Sequence, residues 1–215
     1  MRVNLIAVAL ALLAPWSPLL TPAAVAQTPT NSATPASIEV SGVKLDTQVD
    51  IGGQMVPLNG AGVRYKAIFK VYVAALYLGK KTDNAETALT SNSPKRLHIT
   101  MLREVDATEL GKLFTKGIEQ NATREEFARA INGVLRVGEV FSSRKSLSAG
   151  EHFWVDYIPG TGSVISLNGK VQGAPIKEPE FYAAFLRVWL GKAPADDFLK
   201  DALLGIKRSS RGAER

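Results

Sequence analysis

Residues 58–79 read LNGAGVRYKAIFKVYVAALYLG, and this stretch decides the fold. Its second half, residues 69–78, is largely apolar and rich in β-branched and aromatic residues, which predicts a buried strand. Arg64 lies just upstream among small residues. A guanidinium beside a buried strand is costly unless another group satisfies it. Arg64 therefore needs a partner, and the identity of that partner bears on function.

Arg64 and Tyr72 are predicted to lie side by side. If the chain reverses near Ile68, residues 64 and 72 become cross-strand partners on one face, with Cβ atoms about 5 Å apart. Arginine donates two parallel hydrogen bonds to a carboxylate, and a tyrosine can donate a third. The pair therefore suits a carboxylate or a polarised carbonyl of a ligand. In the alternative, Arg64 pairs with an internal acid such as Glu104, Glu139 or Asp156.

The rest of the chain changes between strand and helix patterns in blocks. Strand patterns occupy residues 37–45, 53–66 and 96–105, and the segments 151–158 and 163–173 flank PGTG, a strong hairpin signal. Helical periodicity occupies residues 106–121 and 123–138, with Asp106 and Thr123 as capping residues. Pro179 begins a further helix, which Gly191 ends, and a short helix ends at Gly205. This order predicts an α+β fold, an antiparallel sheet covered on one face by helices.

The first 26 residues have the composition of a secretory signal peptide. Arg2 provides the positive start, residues 5–20 the apolar segment, and residues 24–26 read Ala-Val-Ala, an A-x-A cleavage site. We expect cleavage after Ala26, so that the mature chain begins at Gln27 in a Gram-negative periplasm. The alternative is an uncleaved anchor. No later segment contains about 18 uninterrupted apolar residues, so we expect no stable membrane insertion after cleavage.

Three segments follow the predicted leader. Residues 27–36, QTPTNSATPA, are expected to form a flexible linker, residues 37–205 one domain, and residues 206–215 a basic, disordered tail. Loss of Arg2 lowers the net charge from +6 to +5. No basic stripe interleaved with aromatic residues is present, so we expect no nucleic-acid partner. Weak attraction of the tail to anionic lipid head groups stays open.

The sequence offers little catalytic or metal-binding chemistry. The chain contains no cysteine, which excludes thiol nucleophiles and thiolate metal sites. Its two histidines, His98 and His152, have no metal-like partner two or four residues away, and we expect both at surface or strand-edge positions. No Ser-His-Asp order or paired-carboxylate motif is present. We therefore expect no metal and no cofactor, and assign no catalytic residue.

Two segments resemble the chalcone isomerase-like family, and its bacterial exported branch is the best match. They are NGAGVR followed by FKVYVAALYLG, and the C-terminal FYAAFLRVWLGKAPADDFLKDALLG. The resemblance covers residues 37–205. It implies an open-faced β-sandwich, in which helices are layered on one face of a large antiparallel sheet and a ligand cleft lies between the two layers.

The resemblance also implies roles for individual residues. Arg64 matches the family's cleft arginine. Tyr72 lies where true chalcone isomerases have a catalytic threonine and where plant fatty-acid-binding members have a tyrosine. Lys116 matches the lysine of a helical Y-x-x-K-x-x-x-N pattern, but Leu113 and Gln120 stand at its tyrosine and asparagine positions. The departure at Leu113 removes a hydroxyl that flavonoid isomerisation needs.

We therefore expect non-catalytic binding of a fatty acid or a similar amphipathic carboxylate, with Arg64, Tyr72 and Lys116 as ligand-binding residues. We also expect the ligand carboxylate, not an internal acid, to complete the hydrogen bonds of Arg64. One alternative is an isomerase (intramolecular lyase) acting on an aromatic enone, with Arg64 as an electrophilic clamp. Another is an envelope interaction module with a vestigial cleft.

Overall fold

A large antiparallel sheet is the centre of the structure, a computed structural model that describes residues 36–207. The predicted leader, all but the last residue of the predicted linker, and residues 208–215 of the predicted tail lie outside the described residues. Within them the strands are β1 Ser37–Val40, β2 Val43–Asp46, β3 Gln48–Ile51, β4 Gln54–Lys66, β5 Phe69–Leu78, β6 Lys95–Met101, β7 Val105–Asp106, β8 Ser146–Leu147, β9 His152–Ile158, β10 Gly162–Leu167 and β11 Lys170–Val171. Seven of them form the sheet in the order β11-β10-β9-β6-β5-β4-β3.

Three of the five helices in the described residues begin at the predicted start signals Asp106, Thr123 and Pro179. They are α1 Ala85–Thr90, α2 Ala107–Asn121, α3 Arg124–Ser142, α4 Pro179–Leu190 and α5 Asp197–Leu203. The Asp106 carboxylate accepts a hydrogen bond from the Glu109 amide at the start of α2. Thr123 and Glu126 form the predicted capping box of α3. The α+β prediction is confirmed.

The two faces of the sheet are covered differently. The helix face includes Tyr72 and Leu76 of β5 and packs against aromatic residues of the helices such as Phe114 and Trp189. The opposite face, here called the hairpin face, packs against residues near the β1–β2 hairpin. Tyr77 on that face donates a hydrogen bond to the Asp46 carbonyl at 3.0 Å, which ties the end of β2 to the sheet. Among the described residues, helices pack on one face of the sheet only, which confirms the predicted open-faced β-sandwich.

A β-bulge at Val71 sets the register at the turn end of the β4–β5 pair. Arg64 pairs with Tyr72, whereas the next residue, Tyr65, pairs with Lys70, so Val71 is an extra residue of β5. Opposed residues share a face of the sheet. Without the bulge Arg64 would oppose Val71, and Tyr72 would point to the other face. The bulge therefore places the Arg64 and Tyr72 side chains together on the helix face.

A second bulge lies at the other end of the same pairing, on the opposite strand. Leu58 pairs with Tyr77 and Gly60 with Leu76, which makes Asn59 an extra residue of β4. Because the two bulges lie on opposite strands, the shift made by one is reversed by the other. The altered register is confined to the segment between them.

Helix α5 packs on that segment because two glycines leave room for it. A Cβ atom at Gly60 would collide with the Ala202 carbonyl oxygen, and one at Gly62 would lie 2.7 Å from the Ala202 Cβ atom. The Asn59 amide donates to the Leu203 carbonyl at 2.8 Å, which joins the bulge to the end of α5. These contacts bring the start of α5 beside Arg64.

His98 lies on β6, the middle strand of the sheet, and not at a strand edge. On the hairpin face its ring centroid is 5.5 Å from that of His152 and 5.4 Å from that of Trp154. Its Nε2 atom is shielded and has no hydrogen-bond partner among the described residues. Burial, with smaller contributions from His152 and Arg96, lowers the pKa of His98 to about 4.

The first prediction concerns acid stability. An unfolded histidine titrates near 6.5, so the unfolded chain takes up a proton at His98 before the folded protein does. Stability should therefore fall as the pH drops from about 6.5 toward 4, at up to about 1.4 kcal/mol per pH unit. His98→Gln should flatten that part of the profile, measured by urea unfolding at several pH values. Equal slopes in the two proteins would contradict the burial of neutral His98.

Candidate functional site: a cavity beside the β4–β5 pair

A cavity of about 520 Å³ lies between the turn ends of β4 and β5, helix α2 and the segment before α5. Its volume falls in the range typical of small-ligand sites. Basic, acidic, phenolic and apolar side chains share the wall: Arg64, Lys66, Arg103 and Lys116; Glu104 and Glu109; Tyr72; Phe69, Val71, Leu110, Leu113, Phe114 and Val188. The structure therefore brings the predicted residues Arg64, Tyr72 and Lys116 to one cavity.

Arg64 and Tyr72 are cross-strand partners, and this prediction is confirmed. Tyr72 is only 4% exposed. Its hydroxyl accepts a hydrogen bond from the Trp189 indole Nε1 at 2.9 Å, which links β5 to α4. Sequence reasoning did not identify Trp189 as part of the site, because 117 residues separate it from Tyr72.

The Tyr72 phenol keeps its proton across the physiological pH range. Burial raises its pKa to about 12, and the Asp196 charge acts in the same direction. The hydrogen bond from Trp189 and the Arg64 charge oppose that shift without reversing it. A phenol oxygen that accepts from Trp189 still has its own O–H to donate. Tyr72 can therefore donate to an acceptor in the cavity.

Arg64 has an internal acidic partner, contrary to the expectation that a ligand alone would complete its hydrogen bonds. Its Nη1 lies 3.3 Å from Oδ2 of Asp196 and also donates to the Tyr65 carbonyl. The Arg64 side chain is 25% exposed and that of Asp196 9%. The physical reason is the close packing of α5, because Asp196 is the residue that caps this helix.

None of the acids named in advance is the partner of Arg64. Asp156 forms a two-point ion pair with Arg96, and Glu139 pairs with Arg136 at 3.2 Å. Glu104 lines the cavity. Asp196 was not among the predicted partners because 132 residues separate it from Arg64. It also caps α5. Its Oδ1 accepts from the backbone amides of the first turn of α5.

Several residues of α2 line the cavity, and the three positions of the family's helical pattern are among them: Leu113, Lys116 and Gln120. Their spacing of three and four residues places them on one face of the helix. Lys116 is exposed at the rim. Leu113 presents a hydrocarbon side chain, which can neither transfer a proton nor orient a water molecule.

Two further features of the described residues concern metal binding and membrane-spanning helices. Within residues 36–207, no group of three or more His, Asp or Glu side chains is arranged to hold a metal ion. Over the same residues, no helix has the length and apolar character needed to cross a membrane.

The second prediction uses the Arg64–Asp196 ion pair. Arg64→Ala should lower the stability only moderately, by about 1 kcal/mol or 2–4 °C in Tm. Asp196 would still accept from the Tyr65, Phe198 and Leu199 amides. Asp196→Ala should cost more, because it also removes a helix cap worth about 0.5–2 kcal/mol. Thermal unfolding of both variants tests this order. An Arg64→Ala protein more stable than the wild type would show that the ion pair is not stabilising.

Comparison with known proteins agrees with the fold. The family model described as "Chalcone isomerase-like" matches residues 36–205. Among solved structures, the fatty-acid binding protein AtFAP1 of Arabidopsis thaliana superposes with a TM-score of 0.65 at 12% identity, covering 79% of this chain and 97% of that chain. At this identity the likeness concerns the fold. A search of curated proteins found no match. Because the family match extends over nearly the whole described chain, the protein belongs to the chalcone isomerase-like family.

Proposed function

We propose that the protein binds a fatty acid or a similar amphipathic carboxylate, without catalysis, in the cavity beside the β4–β5 pair. The observation that carries the proposal is the placement of Arg64 and Tyr72 on the wall of a cavity that also has a group of apolar side chains. One end of such a site can hold a charged head group, and the remainder can hold a hydrocarbon chain.

The polar end has hydrogen-bond donors to spare. A guanidinium has five N–H groups, and the bonds from Arg64 to Tyr65 and Asp196 both leave from Nη1. Asp196 therefore fixes the orientation of Arg64 without using all its donors. The protonated Tyr72 hydroxyl supplies one more. A carboxylate that accepts from both groups would gain charge-assisted hydrogen bonds.

The apolar wall suits an alkyl chain. Leu110 and Phe114 of α2 and Val188 of α4 line the same cavity as the polar pair. Transfer of each CH₂ group from water to such a surface is worth about 0.8 kcal/mol. At the rim, Lys66, Arg103 and Lys116 outnumber Glu104 and Glu109, which adds a modest positive bias for an acid.

The comparisons and the sequence support the remaining parts of the proposal. AtFAP1, which shares the fold, is a fatty-acid binding protein. Leu113 lacks the hydroxyl that the isomerase alternative needs, and this favours a binding role. The A-x-A signal before Gln27 and the absence of cysteine support a periplasmic location.

The third prediction compares dodecanoate with dodecanol, which has the same chain but no charge. By isothermal titration calorimetry the wild type should prefer the acid by about tenfold or more, since hydrogen bonds to a charged group are worth about 1.5–3 kcal/mol. Arg64→Ala should abolish this preference while retaining dodecanol binding. Tyr72→Phe should weaken dodecanoate binding about tenfold.

A pair of lysines on α2 provides the matched control. Lys116 and Lys112 are both exposed, but only Lys116 lines the cavity. Lys116→Ala should weaken dodecanoate binding a few-fold and Lys112→Ala should leave it unchanged. A preference for the acid that persists in Arg64→Ala would refute the proposed head-group site. Turnover of a chalcone that requires Arg64 would favour the isomerase instead.

A further inference from the structure

The tip of the β4–β5 hairpin, residues 65–70, projects apolar side chains into solvent. Ile68 is 84% exposed, Phe69 55% and Tyr65 41%. Ile68 is the most exposed large hydrophobic residue of the described chain. Single exposed apolar residues are ordinary, but a local group of them marks an interaction surface.

Basic residues surround these apolar side chains. Lys66 and Lys70 lie within the tip, which contains no acidic residue. The Arg103 guanidinium lies 5.1 Å from the centroid of the Phe69 ring. Glu104 and Glu109 are on the adjoining cavity wall and not on the tip. Asp196 accepts from the Tyr65 amide at the base of the tip, but its charge is paired with Arg64. The tip therefore combines an apolar projection with local positive charge.

We propose that the tip of the β4–β5 hairpin docks reversibly on the surface of an anionic lipid bilayer. Apolar side chains flanked by lysine and arginine are the composition that inserts shallowly at the lipid interface, where anionic head groups attract the cations. A lipid surface matches both features of the tip, the apolar projection and the positive charge around it.

The docked orientation would turn the cavity toward the lipid. Lys66 and Phe69 of the tip and the neighbouring Arg103 also line the cavity. A membrane-bound protein would therefore have its cavity opening next to the leaflet. If the cavity holds an amphipathic acid, as proposed above, that acid could pass between bilayer and cavity with little exposure to water. Docking itself does not require that function.

The fourth prediction is measured by sedimentation with vesicles of phosphatidylcholine containing about 30% phosphatidylglycerol, against pure phosphatidylcholine. The purified wild type should sediment with the anionic vesicles and be released by high salt. Ile68→Asp should weaken this binding about tenfold or more. Lys66→Ala should weaken it about fivefold. Leu135→Asp, a matched change at a residue 58% exposed on α3, should have no effect.

A fluorescent reporter locates the contact directly. Because the chain has no cysteine, Ile68→Cys and Leu135→Cys each accept a single environment-sensitive label. The label at position 68 should shift to the blue with anionic vesicles, and the label at position 135 should not. Absence of a shift at position 68, or equal shifts at both positions, would overturn the proposal. The proposal would also be overturned if Ile68→Asp abolished self-association, measured by analytical ultracentrifugation, and left vesicle binding intact.

The same variants separate this proposal from the proposed function. Ile68 does not line the cavity, so Ile68→Asp should bind dodecanoate in solution like the wild type. Normal vesicle docking by an Arg64→Ala protein that has lost its preference for the acid would support both proposals independently.

Discussion

The site depends on one constraint, the shifted register of β4 against β5 between two bulges. The bulge at Val71 puts Arg64 and Tyr72 on one face, and the bulge at Asn59 restores the original register before the strands end. Bulges are common where a sheet must re-aim a side chain. Here the bulge at Val71 changes the face of Tyr72 relative to Arg64, so that both side chains lie on the helix face.

Helices α4 and α5 then hold the Tyr72 and Arg64 side chains in place. Trp189 of α4 donates to the Tyr72 hydroxyl, and Asp196 at the start of α5 holds Arg64. Each contact joins the sheet to a different helix, so the polar pair lies at a junction of three elements. Gly62 makes the second contact possible by leaving room for α5. A site held by rigid elements keeps its geometry before ligand arrives, which lowers the cost of binding.

Much of the fold and of the candidate site could be predicted from the sequence, but the pairing of Arg64 with Tyr72 was predicted from the wrong turn position. A reversal centred on Ile68 would pair Arg64 with Tyr72; the turn in fact lies between Lys66 and Phe69, and the bulge supplies the missing residue. Alternation alone cannot reveal such a bulge. Helices α2 and α3 were predictable from their capping signals. Helix α1 was not predicted, although Asn84 caps its start; its last turn is also held by buried Lys95, which donates to carbonyls there, and local periodicity cannot reveal that contact. Asp196 was missed because the contact spans 132 residues and depends on tertiary packing.

The crystal structure of the complex with 12-bromododecanoate is the most direct test of the central claim. Anomalous scattering would locate the bromine, and the electron density would locate the carboxylate. The account predicts the carboxylate within hydrogen-bond distance of Arg64 and Tyr72, with the bromine inside the apolar part of the cavity near Phe114. A ligand bound elsewhere, or bound in the cavity with its carboxylate away from Arg64, would contradict the account.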